Sequence, residues 1–189
     1  MKKATLIFCV LGCKPQPRLI EQHDVFFGIG KEIHELAQPI KNIWPETNGK
    51  IHIDGWRRVT VVDKYHIRVV PRQEPINDLK LFFFNLGGYT KGNLYENHKP
   101  AFIVSTDLIS AVKKVKTSPI LQSMGSVNSK ASAHVDDKFS INDNVFEVQE
   151  ILWLRSKFNY SIQVIEKMPQ EELVPDELHQ TGFLQLLEL

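Results

Sequence analysis

Hydrophobic positions along this chain fall into short runs, and most of the pattern is strand-like. Leu6 to Leu11 is a continuous apolar run, as expected of a central strand covered on both faces, and Leu81-Phe82-Phe83-Phe84 has the same character. Glu21 to Ile29 reads as a strand from Val25, Phe26, Phe27 and Ile29, with Glu21, His23, Val25 and Phe27 on one face. Glu96, His98, Pro100 and Phe102 share a face of a later segment in the same way. There Pro100 lacks a ladder donor, which predicts an edge or bulged strand. Lys31 to Trp44 carries Ile33, Leu36, Ala37, Ile40, Ile43 and Trp44 on one helical stripe, with Pro39 predicted to kink or split the helix. Thr106 to Lys116 is a second helix, with Ser105 or Thr106 as its cap and Ser118-Pro119 as its stop. Lys50 to Val62 alternates as a third strand with a bulge expected at Gly55, and Tyr65 to Val70 follows as a short strand. The counterpart of the third strand breaks after Asp136 into a polar insertion, Asp137 to Asn144, resumes over Val145 to Leu154, and is followed by Tyr160 to Ile165. From Met168 the tail reads as a leucine-rich helix with Pro175 in its first turn.

The pattern is written twice. Leu11-Gly12, Leu19, Glu21 and His23 recur 75 positions later as Leu86-Gly87, Leu94, Glu96 and His98. His52-Ile53-Asp54 recurs as His134-Val135-Asp136, and Tyr65 to Val70 as Tyr160 to Ile165. The expectation is an α+β fold made by internal duplication of a β-β-α-β-β unit, the halves packed with pseudo-two-fold symmetry and followed by a C-terminal helical tail. Residues 1–75 form the first repeat, 76–167 the second and 168–189 the tail. One helix per half covers only part of one sheet face, so each half needs another layer.

Composition narrows the classes of partner. With 189 residues and 42% hydrophobic content the chain can bury a proper core. Its 23 basic and 22 acidic residues nearly cancel, so no global field favours nucleic acid or an acidic membrane surface. Met1-Lys2-Lys3, the apolar run and Gly12-Cys13 imitate a lipoprotein signal, but Leu6 to Gly12 matches Leu81 to Gly87 inside the chain, which reads as a strand. No other segment is long and apolar enough to span a bilayer, and a cytoplasmic protein is expected. Cys9 and Cys13, four residues apart on a strand, are too far from each other to bridge.

Candidate chemistry lies in the repeated E-x-H and H-x-D pairs. Residues two apart on a strand share a face, so their side-chain tips can converge. If the second and third strands are adjacent, Glu21, His23, His52 and Asp54 form a set of two imidazoles and two carboxylates. Glu96, His98, His134 and Asp136 form another. Such a set suits a divalent transition metal, zinc, iron or manganese. Alternatively His52 and His134 act as general bases, each with a carboxylate holding its tautomer. The bland reading is a hydrogen-bonded pair satisfying two polar groups in a half-buried sheet. The loops Gly12 to Pro17 and Gly87 to Asn93 lack a G-x-G-x-x-G or Walker spacing, and their glycines read as turn glycines.

The segments L-G-C-K-P-Q-P-R-L-I-E-Q-H-D-V-F-F and K-I-H-I-D-G-W-R, with L-F-F-F-N-L-G-G-Y and S-A-H-V-D-D-K, resemble a bacterial family, the domain of unknown function numbered fifteen forty-three. The chain is similar to the two-copy form of that family to about Ile165. The resemblance implies an uncharacterised family and transfers no activity. Two classes of function stay open. One is a metal-dependent or histidine-based hydrolase. The other is a module binding a small molecule or a protein, in which these residues are structural. Two-histidine phosphoesterases also place one histidine motif in each lobe, but aspartate stands here where they carry a hydroxyl residue and would repel a phosphate.

Overall fold

A computed structural model describes residues 3–71, 77–124, 133–141, 160–168 and 178–186. The chain divides into two compact units, one formed by Met1–Pro75 with Phe146–Leu189 and the other by Ile76–Val145. Antiparallel sheets dominate both, with a few short helices. Among the described residues no helix is long and apolar enough to cross a membrane.

In the first unit the apolar run is the centre of a sheet. Strands β1 (Thr5–Cys13), β2 (Gln22–Gly30), β3 (His52–Val59) and β10 (Leu178–Gln185) lie in the order β10-β3-β1-β2. The segment between β2 and β3 is split, as Pro39 predicts, into a 3-10 turn (Ile33–Leu36) and helix α1 (Ala37–Ile43). Pro39 falls in the first turn of α1, where its missing N–H leaves no intrahelical bond unmade. Leu36 and Ile40 pack on Ile7, Cys9, Leu11, Phe26 and Ile53, which occupy one face of the sheet. Each such fully buried side chain contributes about 1.5–3 kcal/mol relative to exposure. Strands β4 (Val61–Val62), β5 (Tyr65–Pro71) and β9 (Tyr160–Glu166) make a second, three-stranded sheet, with β9 paired along the whole of β5.

The second unit is a three-stranded sheet of β6 (Lys80–Gly88), β7 (Asn97–Ser105) and β8 (His134–Ser140), in the order β7-β6-β8. Pro100 lies on β7 at the edge, where its absent donor breaks no second ladder. Helices α2 (Leu108–Lys116) and α3 (Pro119–Ser123) cover one face, burying Ala111, Val115 and Leu121 against Phe82, Phe84, Leu86 and Ile103.

Three sequence expectations are corrected and a fourth is extended. The tail is not helical over its described part: Leu178–Gln185 is β10, because the ladder groups of β3 outside its pairing with β1 take up another strand, and Leu186 is buried in the core beneath. Pro175 lies outside the described residues. The polar insertion after Asp136 is strand as far as Ser140, held by pairing to β6 and by Phe139 stacked on Phe83 with ring centroids 4.9 Å apart. Val145 to Leu154 lies outside the described residues. The cap of α2 is Asp107, whose Oδ1 accepts the Ser110 N–H at 2.8 Å, rather than Ser105 or Thr106. Ser118 does more than stop α2: its hydroxyl accepts from the Leu121 N–H and caps α3.

Candidate metal centre

The E-x-H and H-x-D residues meet, but not by the route the spacing suggests. Strands β2 and β3 are not neighbours, because β1 runs between them. Two strand spacings separate them by about 9.5 Å. Their side chains reach each other over β1 because the residue beneath is Gly12, paired with His23 on one side and His52 on the other. Gly87 likewise lies between His98 and His134. Any larger side chain would fill the meeting point. A Cβ built on Gly12 presses against His52 Nε2 and comes to 2.9 Å from Asp54 Oδ2. One built on Gly87 presses against Asp136 Oδ2 and comes to 2.7 Å from Glu96 Oε1. These are therefore strand glycines that floor a site, not turn glycines. The recurrence of Leu-Gly at the same offset as E-x-H was the signal for them in the sequence.

The aspartates are placed by bulges. Register steps from Val10–Gly55 to Leu11–Ile53, leaving Asp54 as the extra residue, and from Asn85–Asp137 to Leu86–Val135, leaving Asp136. A bulge re-aims a side chain beside a site, and here it falls on the carboxylate itself in both units.

All eight expected residues converge, four in each unit. In the first, His52 Nε2 is 2.9 Å from Glu21 Oε1 and 3.1 Å from Asp54 Oδ1, while His23 Nε2 is 3.6 Å from Glu21 Oε2 and 3.3 Å from Asp54 Oδ2. In the second, His134 Nε2 is 3.2 Å from Glu96 Oε1 and 2.9 Å from Asp136 Oδ1. His98 Nε2 is 3.6 Å from Glu96 Oε2 and 3.3 Å from Asp136 Oδ2. Donor atoms of Glu96, His98 and Asp136 all lie within 4.8 Å of one another, close enough to hold a single ion. His23 and His98 are half-exposed, whereas His52 is buried.

One atom is poorly served. Glu96 Oε1 is buried and accepts no hydrogen bond among the described residues, although His134 Nε2 stands 3.2 Å away. Around the clusters, Tyr89 Oη donates to Glu96 Oε2 at 3.3 Å, and the negative Glu96 pushes that hydroxyl's pKa up, with partial burial, the hydrogen bond and Asp136 acting in the same direction. Burial, and then the charge of Glu21, pushes the Cys13 thiol up, opposed by Lys50. Cys9 is raised by burial alone and lies in the core.

Residues 18–69 match the model of a family described as Domain of Unknown Function (DUF1543). That stretch is similar to a DUF1543 domain. The matched segment holds Glu21, His23, His52 and Asp54, and Gly12 lies just outside it. The chain is also similar to the crystal structure of a protein Il1583 from Idiomarina loihiensis, at 19% identity, with 97% of this chain and 99% of that chain covered and a TM-score of 0.61. At that identity the likeness shows the fold alone. No curated protein matches the chain.

Proposed function

We propose that this protein binds divalent transition-metal ions, one in each unit, through Glu21, His23, His52 and Asp54 and through Glu96, His98, His134 and Asp136. The observation that carries the reading is that every imidazole Nε2 lies 2.9–3.6 Å from both carboxylates of its own unit. Bonds of about 2.0–2.1 Å around one ion give donor-to-donor edges of about 2.9 Å in a square arrangement and about 3.3–3.4 Å in a tetrahedral one. Two carboxylates with two neutral imidazoles offer two negative charges, which a divalent ion balances. The imidazoles favour zinc or iron over calcium or magnesium, and the two carboxylates also suit manganese.

Two features favour this over a hydrogen-bonded polar cluster. Glu96 Oε1 is buried and accepts no hydrogen bond among the described residues, with His134 Nε2 3.2 Å away, and a bound cation would satisfy it. Glycine within a strand weakens it, so Gly12 and Gly87 are unfavourable unless the space above them is needed. In the histidine-based alternative the carboxylates at Nε2 fix the tautomer and Nδ1 is the nitrogen that must reach the substrate. In the metal-binding reading hydrolysis, where it occurs, uses water activated by the ion and reached from the half-exposed side of His23 or His98. We also propose that the repeats 1–75 and 76–167 arose by duplication, supported by the 75-residue offset of their motifs and by the same bulge before the same paired glycine.

The test is elemental analysis of protein purified without chelator. One equivalent of a transition metal per unit is expected, with His52→Ala and His134→Ala each lowering the content by one equivalent while the fold is kept. A metal-free protein that takes up nothing on dialysis against zinc would overturn the reading in favour of a ligand- or protein-binding module with structural histidines.

A further inference from the structure

The two clusters differ in one hydroxyl. Tyr89, the residue after β6, donates to Glu96 Oε2 at 3.3 Å. The residue after β1 is Lys14, which is exposed and has no hydroxyl to offer Glu21. The glutamates differ accordingly: the Glu96 side chain is 21% exposed and that of Glu21 45%. Glu21 faces His52 Nε2 at 2.9 Å, but that imidazole must itself turn to an ion, so the glutamate has to be ordered anew when one binds, and that entropy opposes binding. A glutamate already held by a non-ligand neighbour loses less.

We propose that Tyr89 is a positioning residue that holds Glu96 ready for the ion and makes the second site the tighter of the two. The inference rests on the metal-binding reading above. Tyr89 touches a ligand and not the ion, so its effect passes through Glu96. Outer-shell partners of metal ligands typically change affinity by about 10–100-fold. A single neutral hydroxyl on one ligand of four belongs at the lower end, about 10-fold. Tyr89→Phe keeps the ring and removes only that hydroxyl.

The experiment is zinc titration of the full chain in competition with a chromogenic chelator. It is run on the unaltered protein, on Tyr89→Phe, on His23→Ala, and on the two substitutions combined, with melting of each zinc-free protein alongside. The unaltered protein should fill in a tight and a weak phase. Tyr89→Phe should weaken the tight phase about 10-fold, leave the weak phase in place and leave the zinc-free melting temperature unchanged. His23→Ala should remove the weak phase, so that the combined protein shows the tyrosine effect alone. A tight phase that Tyr89→Phe does not move, or that His23→Ala removes, overturns the proposal while zinc binding stands. Absence of zinc uptake in the unaltered protein overturns the metal-binding reading and this inference with it.

Discussion

Replacing Gly12 by alanine tests the first site with a single methyl group. That methyl presses on His52 Nε2 and stands 2.9 Å from Asp54 Oδ2. Ordinary contacts of carbon with such atoms begin at about 3.5 Å, so both donors must retreat by roughly half an ångström or more. Metal–ligand distances tolerate only about ±0.2 Å, so the first site should lose its ion. The backbone has no objection to the change: Gly12 is not among the glycines with positive φ, and it pairs regularly on both sides. Alanine should even restrict the unfolded chain, a gain of about 0.4–1 kcal/mol set against displacement of His52. The zinc-free protein should therefore melt near the unaltered one. The loss should appear only with zinc, where an ion at 1,000 times its dissociation constant stabilises by about 4 kcal/mol. Elemental analysis and thermal melts with and without zinc read both quantities. The reasoning fails if Gly12→Ala keeps the full metal content and the full zinc-dependent rise in melting temperature. It also fails if the zinc-free variant is destabilised by more than about 3 kcal/mol, which would make the glycine a packing device.

Two further outcomes follow from the fold. Leu186 is 3% exposed and packs in the core with Ile7, Leu11 and Leu36, so Leu186→Ala should cost about 2–5 kcal/mol in urea unfolding; a change below about 1 kcal/mol would mean that the end of β10 is not docked there. The Asp107 carboxyl is held below its ordinary range by the Ser110 N–H and hydroxyl. Its contribution is thus present above the ordinary carboxylate pKa and lost as pH falls through the lowered value, so Asp107→Ala should lower the melting temperature at pH 7 and make progressively less difference toward pH 2.

The sequence made the ligands legible and hid the floor. Alternation with period two is a backbone property, so E-x-H and H-x-D declare a shared face before any tertiary contact is known. Strand order is not declared locally. Placing β1 between β2 and β3 turns Gly12 from a chain breaker beside Pro15 and Pro17 into the residue that makes the site. The tail failed for a related reason. The leucines after Leu178 suit a helix or a strand, and the pairing of β10 with β3 decided between them. At α2, Ser105, Thr106 and Asp107 are all good caps by residue type. Only geometry selects Asp107, the one whose carboxylate reaches the Ser110 N–H.

The bulge and the glycine belong to one solution. Donors on β2 and β3 stand two strand spacings apart, so the imidazoles and carboxylates must lean inward over β1, and only a residue without a Cβ leaves room beneath them. The extra residue at Asp54 and at Asp136 brings a carboxylate to the two histidine tips. Three of each four ligands therefore sit on ladder-paired strands, and the fourth, Glu21 or Glu96, immediately precedes β2 or β7. A site built this way is as rigid as the sheet at three ligands and loosest at the glutamate. That makes the glutamate the position where an outer-shell group has most to contribute, and it is the glutamate that Tyr89 holds in the second unit.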